Sequence, residues 1–296
     1  MDSALPTFHW SSVPVDRVWA AKRDQRVSVV LPARDEAATI GPIVETIRHD
    51  LVVGVHLVDE LLVVDDHSTD DTAAVATAAG ARVVAAGDVL PGVGSGIGKG
   101  EALWRGVHVA TGDVIVFCDG DIVDFQAQFV VGLLGPLLTN PDLGFVKGFY
   151  DRPVDDGERG GRVTELLARP LLATLFPHLA TVVQPLSGEY AGRRGLLRRL
   201  PFVGGYGVDL ALLIDAAALI GTHRVAQVDL GVRRHRNRPL SELGPQATTV
   251  LQAALSRAGV PFETAAMLVQ PGELPDRRVH RELPPLDSLS SGRAAS

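Results

Sequence analysis

Short apolar runs that stop at acidic residues constrain this chain more than any other feature. Val27-Ser28-Val29-Val30-Leu31 ends at Pro32, Leu61 to Val64 runs into Asp65-Asp66, and Val114 to Cys118 runs into Asp119-Gly120-Asp121. Runs of that length and β-branched content read as buried strands. An amphipathic helix is expected from about Glu36 to His49. Thr69-Asp70-Asp71 caps an Ala-rich helix that Gly80 closes, and Arg82 to Ala85 adds a short strand. Strands alternating with helices require right-handed crossovers, so the fold class is α/β with a mostly parallel sheet. Ligands of such sheets bind beyond the carboxyl ends of the strands. Asp35, Asp65, Asp66, Asp119 and Asp121 are therefore expected to converge on one rim.

The second half reads as more helical. Val163 to Phe176 predicts a helix kinked at Pro170. Leu196 to Leu200, Val208 to Ile220 and Leu240 to Arg257 also read as helices, and Val225 to Leu230 as a late strand. From about Pro261 onward Pro, Gly and charge become frequent, and Asp287 to Ser296 is expected to be disordered. The division that follows is an N-terminal extension over 1–26, an α/β core over 27–150, a more helical region over 151–260 and a partly disordered tail over 261–296.

The formal net charge of -7 argues against a nucleic-acid binder, whose affinity rests on basic residues meeting phosphates. A small phosphorylated ligand needs only a few local cations. The single cysteine, Cys118, permits neither an intrachain disulfide nor a cysteine metal site, and fits a reducing cytoplasm. The N-terminus has no apolar segment of signal-peptide type. No stretch reaches the roughly 18 to 20 apolar residues of a spanning helix, so a soluble protein is expected.

Asp119-Gly120-Asp121 carries the first chemical signal. Two carboxylates flanking a small residue on a tight turn can face Mg²⁺ or Mn²⁺, which prefer hard oxygen ligands and share them with substrate phosphates. By spacing alone the triplet is also an ordinary turn; its place after a buried strand favours the metal–nucleotide reading. Gly98-Lys99-Gly100-Glu101-Ala102-Leu103-Trp104 runs from a Gly-rich loop into a helix, where backbone N–H groups can approach phosphates. Gly100 stands where a Walker loop needs Ser or Thr, and no dinucleotide fingerprint fits. Gly160-Gly161-Arg162-Val163-Thr164 opens a helix with a cation and a hydroxyl, equally an anion site or a solvated first turn. Glu189 and Asp209 lie near Gly-rich loops, and without further information read as surface carboxylates. Gly231 to Leu240, with Arg233 and His235, is a basic stretch after a strand, a nucleic-acid patch or more simply a solvated loop.

Taken together, Pro32-Ala33-Arg34-Asp35-Glu36, Val64-Asp65-Asp66-His67-Ser68-Thr69-Asp70 and Asp119-Gly120-Asp121 resemble the donor motifs of GT-A glycosyltransferases. With Gly98 to Trp104, Gln184-Pro185-Leu186-Ser187-Gly188-Glu189-Tyr190, Gly205-Tyr206-Gly207-Val208-Asp209 and the Arg233–His235 segment, the chain resembles the glucosyl-3-phosphoglycerate synthases from about Val27 to Val260. The resemblance implies a retaining transfer of glucose from UDP-glucose, or another NDP-glucose, to the 2-hydroxyl of 3-phosphoglycerate, with Mg²⁺ or Mn²⁺, in a cytoplasmic homodimer. It implies nucleotide-sugar binding by the core over 27–150 and acceptor binding by the region over 151–260. It implies that Pro32, Ala33, Arg34, Asp35, Glu36, Asp66, His67, Lys99, Asp119, Gly120, Asp121 and Arg233 bind the donor. It implies that Asp121 and His235 ligate the metal, that Gly161, Arg162 and Thr164 hold the acceptor, and that Lys99, Glu189 and Asp209 serve the sugar and the departing diphosphate. Asp209 stands where relatives carry Glu, Ile122-Val123-Asp124-Phe125 replaces an Asn-Pro segment, and the loop between Tyr150 and Gly160 is short. Mannosyl transfer to glycerate or phosphoglycerate, and a non-catalytic sugar-nucleotide-binding protein, are the rival readings.

Overall fold

The protein is described by a computed structural model that covers residues 5–93, 96–152, 161–233, 240–269 and 275–291. Its centre is an eight-stranded sheet in the order β1-β9-β6-β7-β5-β2-β3-β4. These strands are β1 (Thr7–His9), β2 (Val27–Ala33), β3 (Glu60–Asp65), β4 (Arg82–Ala85), β5 (Val114–Phe117), β6 (Phe145–Asp151), β7 (Tyr190–Arg193) and β9 (Val225–Val232). All neighbours pair parallel except β7, which runs antiparallel to both β5 and β6. The sheet is therefore an α/β sheet with one reversed strand in its middle. β8 (Phe202–Val203) pairs instead with β12 (Glu282–Leu283), and β10 (Ala265–Leu268) with β11 (Asp276–Val279).

Side chains alternate across a strand, and β2 shows the result. Val27, Val29 and Leu31 enter one core, with helices α1 (Val15–Lys22), α2 (Ile40–Thr46), α3 (Thr72–Ala79) and α5 (Gln128–Thr139) on that face. Val30 enters the other core, with α4 (Lys99–Val109), α6 (Arg169–Leu175), α7 (Arg194–Leu197) and α8 (Val208–Ile220). Burial on both faces is why these strands read as continuous apolar runs rather than alternating ones. Helix α9 (Leu240–Arg257) packs on α8, and α10 (Leu286–Ser291) ends the described chain.

The connections decide where a ligand can sit. From β2 the chain winds outward through β3 to β4, then returns to the other flank of β2 as β5. The loops after β2 and β5 thus diverge, leaving a crevice at the switch point of the sheet. Pro32–Glu36 and Asp119–Asp121 occupy that crevice.

Several expectations are corrected. Helix α2 begins at Ile40, not Glu36, and continues past His49 as a π-helical stretch to Gly54. Residues 36–39 are held in a turn because the Glu36 N–H donates to Thr72 Oγ1 at 2.8 Å and that of Ala37 to Asp70 Oδ2 at 3.1 Å. The helix expected over Val163 to Phe176 is present as an unbroken helical run over 162–175, and Pro170 lies just after its π-helical turn at Thr164–Ala168, a local widening of the kind that accommodates a residue without an N–H. The disorder expected over Asp287 to Ser296 is replaced by α10 as far as Ser291, because Leu283 and Leu286 are each only 2% exposed and anchor the segment in the main core; the rest of that stretch, 292–296, lies outside the described residues. Among the described residues no helix is long and apolar enough to cross a membrane.

Candidate active site

The switch-point crevice opens into a cavity of about 570 Å³. One wall comes from β2 and the turn after it: Pro32, Ala33, Arg34, Asp35 and Glu36. Asp35 holds a left-handed φ of 55° and is fixed there by Thr69, whose backbone N–H donates to Asp35 Oδ1 at 2.7 Å. Asp66, at the end of β3, accepts the Gly98 N–H on Oδ2 at 2.7 Å, which draws the loop before α4 over the rim. Asp65 does not face the cavity; it accepts the Ser68 N–H at 3.3 Å and shapes the turn. The His67 ring likewise lies outside the cavity, with Nδ1 at 3.2 Å from Asp66 Oδ1.

The floor is a lattice of alternating charge. Lys99, at the start of α4, places Nζ 2.7 Å from Asp119 Oδ1 and 2.9 Å from Asp209 Oδ2. Arg233, beyond the end of β9, places Nη2 2.8 Å from Asp121 Oδ1 and 3.5 Å from Asp119 Oδ2. Its Nη1 lies 3.4 Å from Glu189 Oε2 and donates to the Tyr150 hydroxyl at 2.5 Å. Glu189 does not touch the cavity; fully buried, it accepts a hydrogen bond from Ser187 Oγ at 3.1 Å and supports Arg233 from below. Glu189 and Asp209 are thus buried network members, not surface carboxylates, and Arg233, 3% exposed, is no part of a solvated loop. Close approach is built into the backbone. A Cβ on Gly188 would stand 2.2 Å from the Asp119 carboxylate oxygens, so only glycine fits between β7 and this acid.

The lattice sets the ionisation of its members. Burial alone would lower the Lys99 ammonium, but Asp119 and Asp209 together hold it well above its ordinary value. Burial would raise Asp119, yet Lys99 and Arg233 hold it well below the usual carboxylate range. Asp121 moves the opposite way. Although 41% of its side chain is exposed, its carboxyl sits in a recess where burial and then the Asp119 charge push it up. Asp209 is raised by burial against the pull of Lys99 and Lys147. Tyr190, pushed up by burial and then by Asp209, faces that carboxylate without closing a hydrogen-bond geometry.

The donor set fits a hard divalent cation. Asp121 offers a partly exposed carboxylate whose charge is disfavoured by its acidic neighbour, and a cation at its outer oxygens relieves that repulsion. Among the described residues no group of three or more His, Cys, Asp and Glu surrounds a common point. Mg²⁺ and Mn²⁺ sites of this type need only one or two carboxylates, because substrate phosphates complete the shell. His235, expected as a second ligand, lies outside the described residues.

The opposite wall carries Gly161, Arg162 and Thr164, with Gly161 at φ 95° just before the helical turn that Arg162 begins. Arg152, which the sequence reading missed, joins them and donates from Nη2 to the Tyr150 hydroxyl at 2.7 Å. It follows β6, and the strand-end rule that found the acids would have found this cation as well. Arg278 also reaches the cavity, from β11, and no local signal marked it.

Comparisons with known proteins agree with this arrangement. The model of glycosyl transferase family 2 matches residues 28–200. The chain is 53% identical over 246 residues to the glucosyl-3-phosphoglycerate synthase of Mycolicibacterium smegmatis, covering 81% of this chain and 80% of that one. It is 50% identical over 269 residues to that of Mycobacterium tuberculosis, covering 87% and 82%. A crystal structure of the M. tuberculosis glucosyl-3-phosphoglycerate synthase in complex with Mn²⁺, UDP-glucose and phosphoglyceric acid matches with a TM-score of 0.89 and 46% identity, over 96% of this chain and 99% of that one. With its switch-point crevice and charged floor carried on this shared sheet, the chain belongs to glycosyltransferase family 2 and, within it, to the glucosyl-3-phosphoglycerate synthase family.

Proposed function

We propose that this protein transfers the glucosyl group of UDP-glucose to the 2-hydroxyl of 3-phosphoglycerate, with retention at the anomeric carbon and in the presence of Mg²⁺ or Mn²⁺. The bond from the anomeric carbon to the diphosphate breaks, the bond to the acceptor oxygen forms, and the hydroxyl proton leaves on a donor phosphate oxygen. One observation carries the reading: Lys99 and Arg233 stand interleaved with Asp119, Asp121 and Asp209 on the floor of the crevice. That floor can receive a diphosphate and a metal together. The relative solved with Mn²⁺, UDP-glucose and phosphoglyceric acid supports the choice of ligands.

The roles divide by wall. Residues 27–150 take the donor, with Pro32, Ala33, Arg34, Asp35 and Glu36 beside the nucleoside, and with Asp66 and His67 shaping its edge. Asp121 and His235 hold the metal, which when bound supplies Lewis-acid neutralisation of the diphosphate. Lys99 adds a fixed ammonium where negative charge develops, and Asp119 and Asp209 keep it protonated and aimed. Residues 151–260 take the acceptor, with Gly161, Arg162 and Thr164 orienting phosphoglycerate. Asp209 offers a carboxylate to the sugar, and Glu189 acts through Arg233. The lone, buried cysteine supports a cytoplasmic location. The family resemblance supports a homodimer, which light scattering on the purified protein tests.

The experiment is a panel of UDP- and GDP-sugars against 3-phosphoglycerate and glycerate, with Mn²⁺ and with EDTA, scored by nucleotide release and product mass. UDP-glucose with phosphoglycerate should lead, EDTA should abolish turnover, and Asp121→Ala should lower kcat by at least about a hundredfold. Full activity in Asp121→Ala would refute the metal assignment, and a preference for GDP-mannose would refute the donor.

A further inference from the structure

The C-terminal segment, remote in sequence from every motif above, is built into the back of the Lys99 site. Arg281 lies between β11 and β12, and its backbone carbonyl accepts the Gly204 N–H at 2.9 Å. Its side chain places Nη1 3.4 Å from Glu101 Oε1. Glu101 stands two residues after Lys99 in the first turn of α4 and is 1% exposed. Its other oxygen accepts from Arg105 Nη1 at 2.9 Å, whereas Oε1 accepts no hydrogen bond among the described residues. Arg281 is thus the cation that faces this buried oxygen. Burial pushes the Glu101 carboxyl up, with Asp66 adding to the push, and Arg281 and Arg105 oppose it.

Three segments meet at this point without room to spare. A Cβ on Gly100 would stand 1.9 Å from the Val203 carbonyl oxygen, and one on Gly98 would stand 3.3 Å from Gly205 Cα. Val203 pairs with Glu282 in the β8–β12 ladder, and Gly205 leads directly into α8, which carries Asp209. The first turn of α4 and the entry to α8 are therefore clamped together by the segment bearing Arg281. Lys99 and Asp209, one from each, meet at 2.9 Å on the other side.

We propose that Arg281, through its ion pair with Glu101, is a positioning residue that fixes the first turn of α4 and so the reach of the Lys99 ammonium toward the diphosphate of the donor. The proposal rests on the reading of Lys99 as a diphosphate contact. A carboxylate buried this deeply holds its place only while its charge is compensated, and a helix turn anchored at one residue carries its neighbours with it.

The test is a double-mutant cycle on UDP affinity in the full-length protein, measured by calorimetry with Mn²⁺. Arg281→Ala should weaken UDP binding about tenfold in the parent chain and less than twofold in a Lys99→Met background. Arg281→Lys should recover most of the loss. Glu101→Gln, which keeps the packing, should give the same pattern and serves if Arg281→Ala folds poorly. An equal loss in both backgrounds, or none in the parent, would overturn the proposal. UDP binding without glucosyl transfer would count against the proposed reaction and leave the outcome of this cycle readable.

Discussion

Lys147 gives the sharpest quantitative test of the lattice. It is 1% exposed, donates from Nζ to the Asp209 carbonyl at 3.1 Å, and lies 4.4 Å from the centroid of the Tyr190 ring. Burial pushes its ammonium down to about 8, against the pull of nearby Asp209 and with the repulsion of Lys99. The unfolded chain holds the same proton up to about 10.4. Below the folded value both states are charged, and the native state carries the whole cost of burying the cation. Between the two values the native state sheds a proton that the unfolded chain keeps, so stability rises with pH. The cost relieved is roughly 3 kcal/mol, at about 1.36 kcal/mol for each factor of ten. Lys147→Met keeps the volume, removes that cost, and loses one hydrogen bond worth about 1 kcal/mol. The variant should therefore be about 2 kcal/mol more stable than the parent near neutrality, and the gain should vanish or reverse as pH approaches about 10. Urea titrations followed by tryptophan fluorescence across that range measure it. A stability difference that stays constant from about pH 6 to 10 would refute the reasoning, because it would mean that the folded protein accommodates the ammonium as well as water does.

Two further outcomes follow from packing. Gly188→Ala should lower kcat by at least about tenfold, because its Cβ, 2.2 Å from both Asp119 oxygens, must displace the carboxylate that holds Lys99; unchanged kinetics would place Asp119 outside the machinery. Truncation after Val269 removes Leu283, Leu286 and the Pro284 carbonyl that accepts Trp104 Nε1–H at 2.8 Å. At about 1.5 to 3 kcal/mol for each buried leucine, several kcal/mol should be lost, and a melting temperature equal to that of the full chain would contradict it.

What the sequence disclosed and what it hid divide by the range of the signal. Strands β2, β3 and β5 announce themselves because burial on both faces demands an unbroken apolar run, and the acids at their ends are then placed by the topology alone. Strand β7 is Tyr190-Ala191-Gly192-Arg193, with no β-branched residue. Only its two neighbours, β5 and β6, make it a strand, and both are far from it along the chain. The interior position of Glu189 and Arg233 was hidden for a related reason. Each is a poor candidate for burial alone and an acceptable one as a pair, and the pairing spans 44 residues. Leu283 and Leu286 lie among prolines and charges, where composition suggests disorder, and two side chains set no period from which to read an element. The residues around Gly161 and Arg162 were legible as helix-start chemistry, yet nothing local says that this turn faces Asp119 and not open solvent.

The reversed strand has a consequence for how such a chain can diversify. Because β7 runs against β5 and β6, it begins where they end, so the polypeptide leaves the crevice after β6 and re-enters it before β7. Beyond Arg152, the described part of the excursion between them resumes at Gly161 beside the crevice and then carries α6 into the main core. Gly161 and Arg162 belong to no strand, so residues there can be exchanged without disturbing the register of the sheet. The chemistry of that wall of the crevice is thereby uncoupled from the strand pairing that builds the other, and a few residues at one turn can vary while the scaffold stays fixed.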